Sequence, residues 1–225
     1  MIRLVLYDID GTLIATGGAG QQAFAAVARH TFGQGNGVAG LSFAGRTDRA
    51  IVREFLTRHR LPATPANIDR FLDDYVFWLD HFLGRLSGRV LPGVWESLDG
   101  LRRLPDPPLV GLLTGNIRLG AELKLRHYEL WTEFEMGAFA DDDEDRNRLA
   151  AIARERGGEH LGRVLEGSEI LVIGDTPLDI ACARAIGARC LAVATGEFTA
   201  EALRSHGADW VTPTLGETSA AALCR

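Results

Sequence analysis

The chain has 225 residues, 46% hydrophobic and 24% charged, with a formal net charge of −6, a balance typical of a globular protein with room for a full core. An acidic chain without a basic run does not neutralise phosphates along a polyanion, which excludes nucleic acid as a partner. No apolar run approaches membrane-spanning length and no leader pattern precedes the first strand, so no membrane partner is expected.

Residues 3–7 are a short apolar run of strand type, and they lead into "DIDGT", with Asp8 and Asp10 two positions apart. Residues two apart on a strand share a face, so the two acids repel unless something offsets them. Helical spacing follows over 21–32, 48–60 and 66–86, the last carrying Phe71, Tyr75, Trp78, Leu79 and Phe82 on one stripe. Residues 109–113 form a second apolar strand, then a helix is predicted over 119–128, strand character over 134–140 and a helix over 148–156. Strands over 169–173 and 189–194 enclose a last helix over 178–186. Continuously apolar strands alternating with helices imply an α/β, doubly wound parallel sheet.

About 75 residues of helical pattern interrupt that alternation after the first strand, more than one crossover needs. They read as an inserted all-helical cap, residues 16–90, on a core made of 1–15 and 91–225. Its two ends, "TGGAG" at 16–20 and "LSGRVLPGV" at 86–94, read equally as plain turns or as the glycine hinges of a mobile cap. Cys182, Cys190 and Cys224 are odd in number and lack CxxC spacing, pointing to packed thiols in a reducing cytoplasm.

Open α/β sheets bind ligands beyond the carboxyl ends of their strands. Those ends carry Asp8 and Asp10, then "LTGN" with Thr114, Gly115 and Asn116, then "GDTPLD" with Asp175 and Asp179. Clustered hard oxygen ligands of this kind suit Mg²⁺, which also relieves their repulsion. Taken singly, each has a plainer reading: Thr114 caps the next helix, and Asp175 or Thr176 caps the helix beginning at Pro177.

"DIDGT", "LTGN" and "GDTPLD" resemble the first, second and fourth signature motifs of the haloacid dehalogenase superfamily, and the chain is similar to its phosphoglycolate-phosphatase-like branch with a helical cap. The resemblance implies a Rossmann-like core and a Mg²⁺-dependent phosphatase acting on a small phosphorylated metabolite such as phosphoglycolate. It implies Asp8 as nucleophile, Asp10 as general acid and base, and Mg²⁺ held by Asp8, the Asp10 carbonyl and Asp175, with Asp179 supporting. Thr114, Gly115 and Asn116 would hold the phosphoryl oxygens. A phosphomutase of the β-phosphoglucomutase type keeps the same acids, while dehalogenase activity is disfavoured because Asp10 is present. A non-catalytic protein-binding module on the same fold is the alternative of another class.

The third motif departs from the family, which commonly places a Lys there; this chain reads "DDDEDRNRLAAIA". Arg146 is assigned that role over Arg148. Lys124, the chain's sole lysine, lies about two turns into its helix, and a rise of 1.5 Å per residue sets it about 10 Å from the strand end, too far to reach the phosphate. In the cap, "FAGRTDRAI" offers Arg46 to a substrate carboxylate or phosphate; equally, Thr47 or Asp48 caps a helix and Arg46 is solvated. The acidic run at 141–145 reads as a solvated loop.

Overall fold

The computed structural model describes residues 1–224. In chain order it contains β1 (Leu4–Tyr7), β2 (Ile14–Ala15), α1 (Ala19–His30), α2 (Asp48–Arg58), α3 (Pro65–Leu83), β3 (Arg89–Val90) and α4 (Val94–Arg102). There follow β4 (Leu109–Leu113), α5 (Arg118–His127), β5 (Met136–Ala138), α6 (Arg146–His160), β6 (Ile170–Gly174), α7 (Pro177–Ala185), β7 (Arg189–Val193), α8 (Ala200–Ser205), β8 (Trp210–Thr212) and α9 (Ala220–Leu223). Among the described residues no helix is long and apolar enough to cross a membrane.

Six strands form one parallel sheet in the order β5-β4-β1-β6-β7-β8. The chain leaves β1, returns on one side as β4 and later on the other as β6, so a crevice opens at the carboxyl end of β1. Side chains alternate across β1: Val5 and Tyr7 pack beneath α4, α5 and α9, and Leu4 and Leu6 beneath α6 and α7. Each large apolar side chain so buried contributes about 1.5–3 kcal/mol, and β1 is covered on both faces, which explains its unbroken apolar sequence.

Residues 19–83 bury a core of their own, where Phe24 meets Tyr75 at 4.7 Å between ring centroids and Phe55 meets Phe71 at 5.1 Å. The segments joining these helices to the sheet pair with each other, Ile14 with Val90 and Ala15 with Arg89, as an antiparallel ribbon. Two-residue strands carry no periodicity, which is why the pattern missed this ribbon. It missed β8, whose three residues are also too few to show a period, and the broad strand expected over 134–140 shortens to three residues at the sheet edge.

Helix α6 is longer than its apolar pattern, starting at Arg146 because Asp145 caps it by accepting from the Asn147 amide at 2.8 Å. It runs on through Gly157 and Gly158, where a Cβ would meet Leu4 at 2.6 Å and the Arg163 carbonyl at 2.7 Å, so close packing selects glycine there despite its low helix propensity.

Candidate active site

The carboxyl ends of β1, β4 and β6 supply the chemistry. Asp8 still belongs to the sheet, its amide donating to the Ile173 carbonyl at 2.9 Å, and it is 5% exposed. Two residues on, past the strand, the Asp10 side chain is 44% exposed and faces a cavity of about 400 Å³ between sheet and helical insert. The acids therefore do not share one spot: Asp8 points to Arg146, with Oδ1 3.1 Å from Nη2, and Asp10 points to Lys124, with Oδ2 2.7 Å from Nζ.

Around Asp8 lies a carboxylate cluster in which Asp8, Asp175 and Asp179 each offer an oxygen within 4.8 Å of the others, all three buried. Burial first, and then repulsion from Asp179 and Asp10 against the pull of Arg146, pushes Asp8 up to about 7. Burial followed by Asp179 and Asp8 pushes Asp175 up to about 8. Both Asp179 oxygens already have protein partners: Oδ2 accepts from the Thr176 amide at 3.0 Å and hydroxyl at 2.7 Å, and Oδ1 accepts from Arg146. Thr176 and Asp179 thus form a capping box for α7, with Pro177 in its first turn.

Asp175 is held on one oxygen only, by the Thr12 hydroxyl at 3.0 Å. Backbone without side chains closes around the other: a Cβ on Gly11, whose φ is +82°, would sit 2.3 Å from Asp175 Oδ2, and one on Gly196 1.7 Å away. Such a set, all hard oxygen, crowded and short of positive charge, with one guanidinium to three carboxylates, fits Mg²⁺ on Asp8 and Asp175. The donor chemistry excludes a soft, sulfur-preferring ion.

Arg146 is 7% exposed at the start of α6, and its guanidinium donates to Asp179, to the Gly45 carbonyl at 2.7 Å and to the Leu113 carbonyl at 3.4 Å. Arg148 instead points to solvent beside Asp143. The acidic run is more than a solvated loop. Asp142 grips Arg156 through two bonds of 2.7 Å, Glu144 pairs with Arg53 of α2, and Asp145 caps α6, so the run shapes the turn that aims Arg146.

In the β4 turn, Gly115 and Asn116 line the cavity. Thr114 does not: it is fully buried, and its hydroxyl oxygen accepts from the Asn116 side chain at 2.8 Å and amide at 3.3 Å. The helical insert sits directly on this turn. A Cβ on Gly115 would lie 2.1 Å from the Arg46 carbonyl, the Asp48 amide donates to the Gly115 carbonyl at 2.7 Å, and Asp48 Oδ2 accepts from the Ile117 amide at 2.8 Å. Asp48 thereby serves the open end of α5, which has no side-chain cap of its own. Its burial, against the pull of Lys124, pushes its carboxyl up to about 7.

Two sequence expectations meet a different geometry. Arg46 borders the cavity, but its guanidinium is engaged within the insert: it donates to Glu54 two turns along α2, to the Ser42 carbonyl at 3.3 Å and to the Ala50 carbonyl at 3.4 Å, while Thr47 caps α2. Lys124 does reach it. Axial rise alone overstated the gap, because a helical Cα–Cβ bond leans toward the N-terminus and the lysine stem spans a further turn. Burial favours the neutral amine, but Asp10, Tyr75 and Asp48 outweigh it and hold Lys124 charged. The sequence offered Tyr75 only as part of an apolar stripe, and gave no role to Thr195, whose hydroxyl donates to the Gly11 carbonyl at 2.6 Å.

A family model described as HAD-hydrolase-like matches residues 149–218. CbbY from Rhodobacter sphaeroides, solved with phosphate, is 16% identical with a TM-score of 0.73, covering 96% of each chain. The chain carries the haloacid dehalogenase-like hydrolase fold. A Bacteroides fragilis protein described as a haloacid dehalogenase-like hydrolase is 20% identical at a TM-score of 0.73, over 96% of this chain and 99% of that one. A predicted phosphoglycolate phosphatase from Haemophilus somnus is 16% identical at a TM-score of 0.70, over 96% of each. Curated proteins yield no match. At these identities the shared property is the haloacid dehalogenase-like fold, and residue roles follow from this chain's own geometry.

Proposed function

We propose that the protein is a Mg²⁺-dependent phosphomonoesterase that cleaves a small phosphorylated metabolite through an aspartyl-phosphate on Asp8. The observation that carries this reading is a buried carboxylate, Asp8, set 3.1 Å from a buried guanidinium at the switch point of the sheet, beside a second acid that opens onto the cavity.

An oxygen of Asp8 attacks phosphorus in line, and the bond from phosphorus to the leaving oxygen breaks. Asp10 delivers a proton to that oxygen and later takes one from the water that attacks the aspartyl-phosphate, which frees inorganic phosphate and restores Asp8. Arg146 offsets the charge gathered at Asp8, and the Gly115–Asn116 turn faces the transferring oxygens, with Thr114 holding Asn116 from behind. Mg²⁺, held by Asp8, Asp175 and the Asp10 carbonyl, would supply positive charge to the phosphoryl group and lower its resistance to attack.

Retention of every signature acid argues against a protein-binding module. The CbbY structures, which include complexes with phosphate and with xylulose-(1,5)-bisphosphate, support a small phosphorylated substrate here, phosphoglycolate remaining one candidate. Three free, buried cysteines support a reducing cytoplasm. Phosphate release from p-nitrophenyl phosphate and a panel of phosphorylated metabolites, with Mg²⁺, tests the reading. Asp8→Asn should lower turnover by about 10³-fold or more, and equal rates in the two proteins would end the nucleophile assignment. Isomerisation of a sugar phosphate without phosphate release would move the protein to the phosphomutases.

A further inference from the structure

We propose that Lys124 is a positioning residue for Asp10, pinning one oxygen of its carboxyl so that the other faces the leaving group; this rests on the phosphatase reading above. Lys124 is the chain's sole lysine among 24 basic residues. Its side chain is 5% exposed, and a buried ammonium costs several kcal/mol in desolvation unless its partners repay it, whereas an apolar side chain of similar volume would fill the same space without that cost. The surroundings of Nζ are not those of a structural tie. It donates to Asp10 Oδ2 at 2.7 Å and to Asn116 Oδ1 at 2.6 Å.

The same bond orients Asn116. With Oδ1 occupied by the ammonium, its Nδ2 is directed to Asp10 Oδ2 at 2.9 Å and to Thr114 Oγ1 at 2.8 Å. Asp10 Oδ2 therefore receives two donors, from α5 and from the β4 turn, while Oδ1 has no hydrogen-bond partner among the described residues. A carboxyl held this way has one rotamer and one free oxygen. The Tyr75 hydroxyl of α3 also lies beside the ammonium, and a Cβ on Gly20 would lie 3.7 Å from both Nζ and that hydroxyl. Lys124 is thus enclosed by the helical insert as well as by the core. The two buried cations divide the labour: Arg146 serves Asp8, and Lys124 serves Asp10.

Positioning of a proton donor predicts a loss that depends on the leaving group. p-Nitrophenolate departs without protonation, whereas a primary alkoxide does not. Lys124→Met should lower kcat on an alkyl phosphate by about 10²-fold or more, the range of a general acid, and on p-nitrophenyl phosphate by less than about tenfold. KM should change little on either ester. Lys124→Gln, which keeps length and a donor, should fall between. Crystal structures of wild type and Lys124→Met grown without metal add a readout independent of turnover: Asp10 and Asn116 should keep their rotamers in the first and lose them in the second. Equal losses on the two esters, no loss on either, or unchanged rotamers would overturn the proposal. Wild type unable to hydrolyse any phosphomonoester would overturn the phosphatase reading together with this one. Active wild type, inactive Asp8→Asn and equal losses in Lys124→Met would overturn this one alone.

Discussion

The two sides of the site use the same acid in different surroundings. On the Arg146 side, Asp8 is part of the sheet, 5% exposed and crowded by Asp175 and Asp179, so that one guanidinium faces three carboxylates. On the Lys124 side, Asp10 has left the sheet, its side chain is 44% exposed, and an ammonium and an amide hold one of its oxygens. The first side is short of positive charge and built to accept more. The second is locally balanced and keeps a free oxygen toward the cavity. Two residues of chain separate these environments because β1 ends at Tyr7, and a backbone past its last ladder bond no longer obeys the two-residue repeat.

Of the changes that leave both acids in place, the largest expected effect comes from removing the cation on the crowded side. Arg146→Ala leaves buried carboxylates uncompensated, a change that typically costs about 3–5 kcal/mol, and turnover should fall by about 10²- to 10³-fold. Arg146→Lys should recover part of both, and Arg148→Ala, at a solvated position, should alter neither. Steady-state kinetics and thermal melting decide this, and the reverse ranking would hand the role to Arg148.

An intermediate effect tests the charge deficit through pH. Asp8 and Asp48 are pushed up to about 7 and Asp175 to about 8 from an ordinary value of 3.8, so between about pH 4 and 8 the folded chain holds protons that the unfolded chain has released. Stability of metal-free protein should therefore fall as pH rises through that window, by up to about 1.4 kcal/mol per pH unit for each withheld proton. Mg²⁺ should restore it by binding the folded state, and Asp48→Asn should flatten the slope without abolishing the Mg²⁺ response. Melting temperatures that rise toward pH 8 without metal would contradict the arrangement.

The smallest effect is expected at Arg46. Held by Glu54 and two carbonyls in a half-buried pair, it should contribute at most about 1 kcal/mol to stability, and Arg46→Ala should shift KM by no more than about twofold. A large rise in KM confined to the natural substrate would mean that Arg46 leaves Glu54 to meet that substrate.

Much of this was legible in the sequence because its signals are local. Unbroken apolar runs marked β1, β4, β6 and β7 within a residue or so, since strands covered on both faces cannot carry polar positions. Acids at the ends of such runs marked the site, since strand ends converge by topology alone. Asp145, read only as part of an acidic run, was legible as a helix cap too.

Other features were decided in three dimensions. That Lys124 reaches Asp10, that Arg46 turns to Glu54 and that Thr114 lies behind Asn116 all depend on the packing angle of a helix and the rotamer of a long side chain, neither of which leaves a periodic trace. Asp48 capping α5 from the helical insert joins residues 69 apart, a contact that exists only after both units have folded. The sequence by itself determined which acids gather and at which edge of the sheet; tertiary structure decided which cation each acid meets, because burial and approach, the quantities that set charge pairing, belong to the packed chain.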